Sequence, residues 1–392
     1  MRISLLAVLV AGCTAALLLQ PAAPGAAAEP GPQRRVSAGG GSVTSLPLTG
    51  GRGLAPRGTR PFELLGAVWD DPERTLAGGA VRVRTRSAVT GAWSGWHELE
   101  ADAKDGPEAR DGRDGPAGGA THGATAPLWT GPSDGVAVEA VAGPGGLPEG
   151  LRIELVDPGQ GAAAPSAPRV LPAEPPAGSS AGPSAEPPAG HPAPRPGIVT
   201  RAGWGADESL RDQDFVYTGP VREVFVHHTA SATEYACADA PRVIRAIYQY
   251  HVQSSGWRDI GYNFLVDRCG TVYEGRAGGV ELPVFGAHTL GFNPDSSGVA
   301  AIGTFVTDTP PQELVDGITR IAAWKLGLTD QDAAGHTRLV SSSDASRYPK
   351  GTEVVFDTVS GHRDAFNTEC PGTVLYGRLG DIRTAAALLQ GR

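Results

Sequence analysis

Between residues 158 and 197 the chain is almost entirely Pro, Ala, Gly, Ser and Glu. Such a stretch carries too little apolar side chain to offset the entropy of ordering its backbone, so it reads as an extended tether. It leaves two stretches that must each find a core, residues 34–157 before it and 198–392 after it. A length of 392 residues agrees with two domains plus shorter segments, at roughly 150 residues per domain.

Residues 1–28 read as an export signal peptide. Arg2 gives a short positive start, an apolar run from Ile3 to Leu19 follows with a break at Gly12-Cys13-Thr14, and Ala26-Ala27-Ala28 offers a small-residue cleavage site. The clean apolar stretch is shorter than the ~20 residues of a spanning helix, so stable membrane insertion is not expected. Val10-Ala11-Gly12-Cys13 also resembles a lipobox, which leaves lipoprotein processing at Cys13 as the alternative. A net charge of −9 argues against a general nucleic-acid binder, which needs a basic face to neutralise phosphates.

The stretch 34–157 shows short β-type runs, among them Phe62–Trp69 and the period-two run Ala80–Arg86, punctuated by turn signals such as Gly131–Gly135. No long helical period occurs, and a β-sandwich-like module is expected. Its tryptophans, Trp93, Trp96 and Trp129, are expected in the core, and Asp102–Gly123 as a long mobile loop. No catalytic constellation is visible there.

Beyond residue 198 strands and helices alternate. Val221–Val226 is a buried strand running into His227-His228-Thr229, and Ala240–Val252 has helical spacing. Tyr262–Asp267 and Val299–Phe305 read as strands, Pro310-Pro311 opens a helix that Gly327 stops, and Leu375–Leu389 is a closing helix. The pattern predicts an α/β domain with a mixed central sheet flanked by helices.

Removal of a signal peptide would leave three cysteines, Cys237, Cys269 and Cys370. An odd count suggests one disulfide and one cysteine with another task. The polar loop around Cys370, a few residues after His362, is chemically the most distinctive, so Cys237 is paired with Cys269 and Cys370 is left as a thiolate. A disulfide that uses Cys370 is the alternative. His227, His362 and Cys370 are three ligands that zinc accepts, and with no evident fourth the site keeps a position for water, the pattern of a catalytic rather than a structural ion. His228, next along a strand, should face the other way.

Six segments occur in order: Val226-His227-His228-Thr229, Gly256–Phe264, Glu274-Gly275-Arg276, Gly286-Ala287-His288, Gly361-His362-Arg363-Asp364 and Thr368–Gly372. Together they resemble the peptidoglycan-recognition and type 2 N-acetylmuramoyl-L-alanine amidase family, over roughly residues 198–392. The signal, β-rich module and tether resemble, more loosely, secreted amidases of actinobacteria. The resemblance implies a secreted, cell-wall-associated zinc enzyme with peptidoglycan as substrate, cutting the amide between N-acetylmuramic acid and L-alanine. It implies Zn2+ on His227, His362 and Cys370, with Tyr262 and Thr368 assisting catalysis. Asp259, Arg276, His288 and Asn293 are expected in the substrate groove, with Arg276 suited to a stem-peptide carboxylate, and Asp364 as a partner orienting Arg363 or a ligand histidine. A monomer is expected, the general base stays open, and a non-catalytic peptidoglycan-binding protein is the alternative.

Overall fold

In Ala80–Ser87 the valines Val81 and Val83 are buried while Arg82 between them faces solvent, the signature of a strand covering a core with one face. The computed structural model of the chain describes residues 33–36, 40–48, 53–76, 78–100, 122–161, 169–174 and 193–392. The expected signal peptide, Cys13, most of the Asp102–Gly123 loop and most of the tether lie outside these residues.

The N-terminal strands are β1 (Gln33–Val36), β2 (Ser42–Pro47), β3 (Gly53–Trp69), β4 (Ala80–Ser87), β5 (His97–Glu98), β6 (Gly123–Ala124), β7 (Leu128–Val141) and β8 (Arg152–Asp157). They form one sheet in the order β1-β2-β8-β3-β7-β4-β5, with β6 beside β3. The long β3 shifts register against β7 between Leu54 and Leu64, which bends the sheet. Residues of β2, β3, β4, β7 and β8 meet in one core that includes Leu46, Phe62, Trp69, Val83, Val138 and Ile153. Trp129 is buried as expected, but Trp96 is 41% exposed, with the Arg84 guanidinium over its ring.

The C-terminal part is built on a mixed sheet of β9 (Val170–Leu171), β10 (Ile198–Val199), β11 (Glu223–His228), β12 (Phe264–Val266), β13 (Val272–Glu274), β14 (Ser296–Ala301) and β17 (Val359–Gly361), in the order β17-β11-β14-β12-β13-β10-β9. A separate hairpin joins β15 (His336–Val340) to β16 (Glu353–Asp357). The helices are α1 (Arg201–Trp204), α2 (Ala240–Gln249), α3 (Gln312–Gly327), α4 (His362–Ala365), α5 (Thr373–Tyr376) and α6 (Leu379–Leu389). The predicted 375–389 helix is thus interrupted around Gly377. Helices α3 and α6 cover the face carrying Val224, Val226, Phe264 and Val299. Helix α2 covers the opposite face at Leu265 and Ala300. The mixed sheet between two helical layers agrees with the predicted α/β class. Among the described residues no helix is long and apolar enough to cross a membrane.

Two findings modify the picture of independent domains on a tether. Part of the Pro/Ala-rich stretch is anchored: β9 pairs antiparallel with β10, and Glu174 bridges to Arg195. Further, α2 lies between the two sheets, because Val43, Leu64, Val68, Trp129 and Val156 of the first share a core with Val243, Ile244, Ile247 and Tyr250. Both faces of the N-terminal sheet carry apolar residues, and among the described residues α2 covers the second face.

Glu223 opens β11 and is fully buried. Burial pushes its carboxyl well above the usual range, and Asp364 and Asp357 add to the rise, opposed by Ser360 and Arg383. An acid with a raised folded-state pKa lets the unfolded chain release its proton first. Its stability contribution is therefore intact at low pH and is lost as pH rises through the folded value. Melting temperatures between about pH 4 and pH 8 should show wild type losing stability, relative to Glu223→Gln, as pH increases. A constant difference between the two would count against this assignment.

Candidate metal centre

Strand β11 runs parallel to β17 with Val226 opposite Gly361. The next residue along each is His227 and His362, so the pairing delivers two imidazoles side by side at the C-terminal edge of the sheet, with ring centroids 4.6 Å apart. Asp364 closes the turn into α4 by accepting from Gly361 N at 2.8 Å and from Tyr376 Oη at 2.7 Å. Cys370 returns to the same point because Arg363 N donates to its carbonyl at 3.0 Å, while its Sγ accepts from His228 N at 3.3 Å. The ligand atoms of His227, His362 and Cys370 all lie within 4.8 Å of one another, and all three residues are buried. Cys237 and Cys269 form a disulfide, and Cys370 is not part of one.

The donor set fits a tetrahedral ion. Bonds of about 2.0–2.1 Å to nitrogen and about 2.3 Å to sulfur would separate the two ligands by about 3.6 Å. The distance from His227 Nδ1 to Cys370 Sγ is 3.7 Å. The other nitrogen of His227, Nε2, lies 3.3 Å from both His288 Nδ1 and Thr289 Oγ1. In the tautomer with the proton on Nε2, that N–H points into this pair and the Nδ1 lone pair faces the thiol. Burial, reinforced by His362, His288 and His228, holds the His227 imidazole well below its usual pKa and therefore neutral.

His288 stands behind His227 rather than in an open groove. It is 1% exposed, and Gly298 of β14 makes room for it: a Cβ there would come within 2.4 Å of the ring. Asn293 is fully buried, its Oδ1 accepting from the backbone N–H groups of His288 and Thr289 at 2.8 and 2.9 Å. Asp259 is 5% exposed and holds the site loops by accepting from Arg201 Nη1, Ile260 N and Ala277 N. Arg276 is 9% exposed; burial lowers its guanidinium to about 10, against the pull of Asp259. Tyr262 lies with its ring centroid 5.5 Å from that of His227. Thr368 Oγ1 accepts from Cys370 N at 3.1 Å, so its hydroxyl braces the cysteine loop. His228 faces elsewhere, its Nε2 lying 3.5 Å from Glu100 Oε2 of the N-terminal part.

Sequence reasoning missed three features. One is Thr289 beside His227. Another is His251, in a π-helical turn (Tyr250–Ser254) that extends α2. Its ring stacks on Trp257 at 4.3 Å and its Nδ1 accepts from Gly261 N at 3.2 Å, while burial, helped by Arg276, lowers it to about 3. Helical spacing marked His251 only as part of a buried face. The third is the strip from His122 to Pro127, which carries no motif yet lines the same cavity as Tyr262, His227, His362 and Cys370.

The fold is an α/β mixed sheet between helices, with a buried cluster of two histidines and a cysteine whose side-chain types can hold a metal ion. Residues 217–373 match the family model described as N-acetylmuramoyl-L-alanine amidase. Residues 22–177 match one described as Rv3811 N-terminal galactose-binding domain-like. The chain is 33% identical over 190 residues to peptidoglycan-recognition protein SC2 of Drosophila simulans, covering 48% of this chain and 85% of that protein. It is 33% identical over 180 residues to peptidoglycan recognition protein 1 of Bos indicus, covering 46% and 80%. To peptidoglycan-recognition protein LE of Drosophila melanogaster it is 34% identical over 143 residues, 36% of this chain but 39% of that protein. Among solved structures, Drosophila PGRP-LB wild-type aligns over 46% of this chain and 91% of its own at 27% identity, with a TM-score of 0.37. The chain belongs to the peptidoglycan-recognition protein and type 2 amidase family.

Because Asn293 satisfies two buried N–H groups, Asn293→Ala should cost about 2 to 4 kcal/mol of stability in chemical denaturation. A loss within experimental error would show that the His288–Thr289 backbone does not depend on it.

Proposed function

We propose that the chain is an exported zinc-dependent N-acetylmuramoyl-L-alanine amidase that separates the stem peptide from the glycan of peptidoglycan. The observation that carries this reading is the buried convergence of His227, His362 and Cys370, which matches a catalytic zinc set of three protein ligands. Membership of a family whose relatives are named for peptidoglycan recognition supports the substrate class. The Cys237–Cys269 disulfide supports an oxidising, extracytoplasmic location. Zinc held there would supply an acidified water and polarisation of the scissile carbonyl.

The chain's own groups do the rest. Neutral His227 is oriented through its Nε2 by His288 and Thr289, so its Nδ1 stays aimed at the site. The hydroxyl of Tyr262 is the donor on the cavity wall suited to a developing oxyanion and to passing a proton to the leaving amine. Thr368 acts through Cys370, whose backbone N–H it accepts, and keeps the thiol in register with His227. Arg276, a cation behind the site, suits a stem-peptide carboxylate.

A peptidoglycan-binding protein without activity is the alternative, and the thiol discriminates between them. Cys370→Ser should lose bound zinc by metal analysis and stop releasing L-alanine amino termini from cell walls. Continued release by that variant would overturn the ligand assignment. Tyr262→Phe should keep its zinc and lose about 10²-fold in kcat, the scale of one oxyanion donor. Mass spectrometry of the products should show glycan free of peptide; cuts inside the stem peptide would instead indicate a zinc peptidase.

A further inference from the structure

The centre described above is roofed. The cavity at His227, His362 and Cys370 has a volume of about 50 Å³, and part of its wall is the strip His122–Pro127 of the N-terminal sheet. A space of that size holds a few water molecules, whereas pockets that take drug-sized ligands run to about 300–1,000 Å³. A muramoyl peptide therefore does not fit while the N-terminal sheet is docked. We infer that this sheet is an intramolecular cap on the metal centre, and that the chain is latent until the sheet undocks as a body.

Three observations carry this. The roof cannot lift alone, because the strip is bolted to β3: β6 pairs with Val68 and Trp69, Thr125 N donates to Ala67 O at 2.9 Å, and Ala67 N donates to Thr125 Oγ1 at 3.0 Å. The docking is specific as well as apolar. Tyr250 inserts its hydroxyl between the carbonyl oxygens of Ala67 and Thr125, at 3.1 and 3.0 Å, and Gly66 makes room for it, since a Cβ there would lie 2.2 Å from the Tyr250 oxygen. Arg242 on α2 pairs with Glu63 of β3, whose carboxyl burial raises above its usual range while Arg242 pulls against the rise.

At the end of β8 the carbonyls of Pro158 and Gly159 accept from Gln249 Nε2 at 3.4 Å and Arg245 Nη2 at 3.2 Å on α2, and residues beyond Arg169 pair with the second sheet through β9 and β10. The two parts stay covalently joined through this segment. The cap can leave the cleft without leaving the molecule.

This inference rests on the amidase reading only for what the cap withholds, so the test separates the two. The full chain carrying Cys13→Ser would be stripped of metal and Cys370 titrated with dithionitrobenzoate, beside an assay of metal-loaded protein on soluble muropeptide. Gly66→Leu, which drives a side chain into Tyr250, and Arg242→Glu, which opposes Glu63, should each raise the thiol reaction rate about tenfold or more, the inverse of an open population of roughly 10% or less. The pair Glu63→Arg with Arg242→Glu restores the attraction and should return the rate to that of wild type, which guards against simple unfolding. Muropeptide turnover should rise in step with thiol access. A thiol rate in wild type equal to that of both opened variants, or measurable turnover that is the same in all of them, would overturn the cap. Raised thiol access with no product from any variant would leave the cap standing and overturn the amidase assignment instead.

Discussion

The candidate centre depends on the parallel pairing of β11 with β17. With Val226 held opposite Gly361, His227 and His362 leave the sheet together, and their rings are packed before any ion is considered. A slip of one residue would turn one imidazole to the other face of the sheet. The neighbouring strand β14 contributes the space: Gly298 lets His288 sit against the sheet, where it meets His227 Nε2. Cys370 is tied to the same strand end, since Arg363 N, one residue past His362, holds the cysteine carbonyl. The ligand set is thus arranged by backbone hydrogen bonds, and the side chains have little freedom left to lose.

Helix α2 connects this centre to the rest of the molecule. It is the layer common to both sheets, and its last turn widens into a π-helical turn at Tyr250–Ser254. Two consecutive residues there do different work. Tyr250 reaches into the N-terminal sheet, and burial holds its phenol above the usual range so that it remains a donor. His251 turns inward, accepts from Gly261 N and stacks on Trp257, fixing the segment that carries Tyr262. Docking of the N-terminal sheet and placement of the site tyrosine therefore share one backbone turn. Such turns are frequent at functional sites, where an extra residue redirects side chains without ending the helix.

Much of this could be read from the chain. The helical spacing of Val243, Ile244 and Ile247, the Pro-Pro start and Gly stop of α3, and the odd cysteine count all act locally, through propensity, capping and covalent chemistry. The ordered motifs pointed to His227, His362 and Cys370 for the same reason: zinc accepts few side-chain types, and those types stood at strand ends and in polar loops. The burial of His288 and Asn293 was not legible, because a polar residue after a glycine turn looks the same whether it lines a groove or satisfies buried backbone. Trp96 was expected inside and lies at the surface over Arg84.

By itself the sequence determined the side chains available to this protein: histidines and a cysteine of the types a metal accepts, an odd cysteine count, and two core-forming stretches either side of one that cannot form a core. The tertiary structure decided which surfaces meet. The second apolar face of the N-terminal sheet looks like any amphipathic strand pattern in sequence, since alternation shows that a face is buried and not against what. Only the folded chain shows that its partner is α2, and that the edge carried with it, His122–Pro127, lines one cavity with the histidines and the thiol.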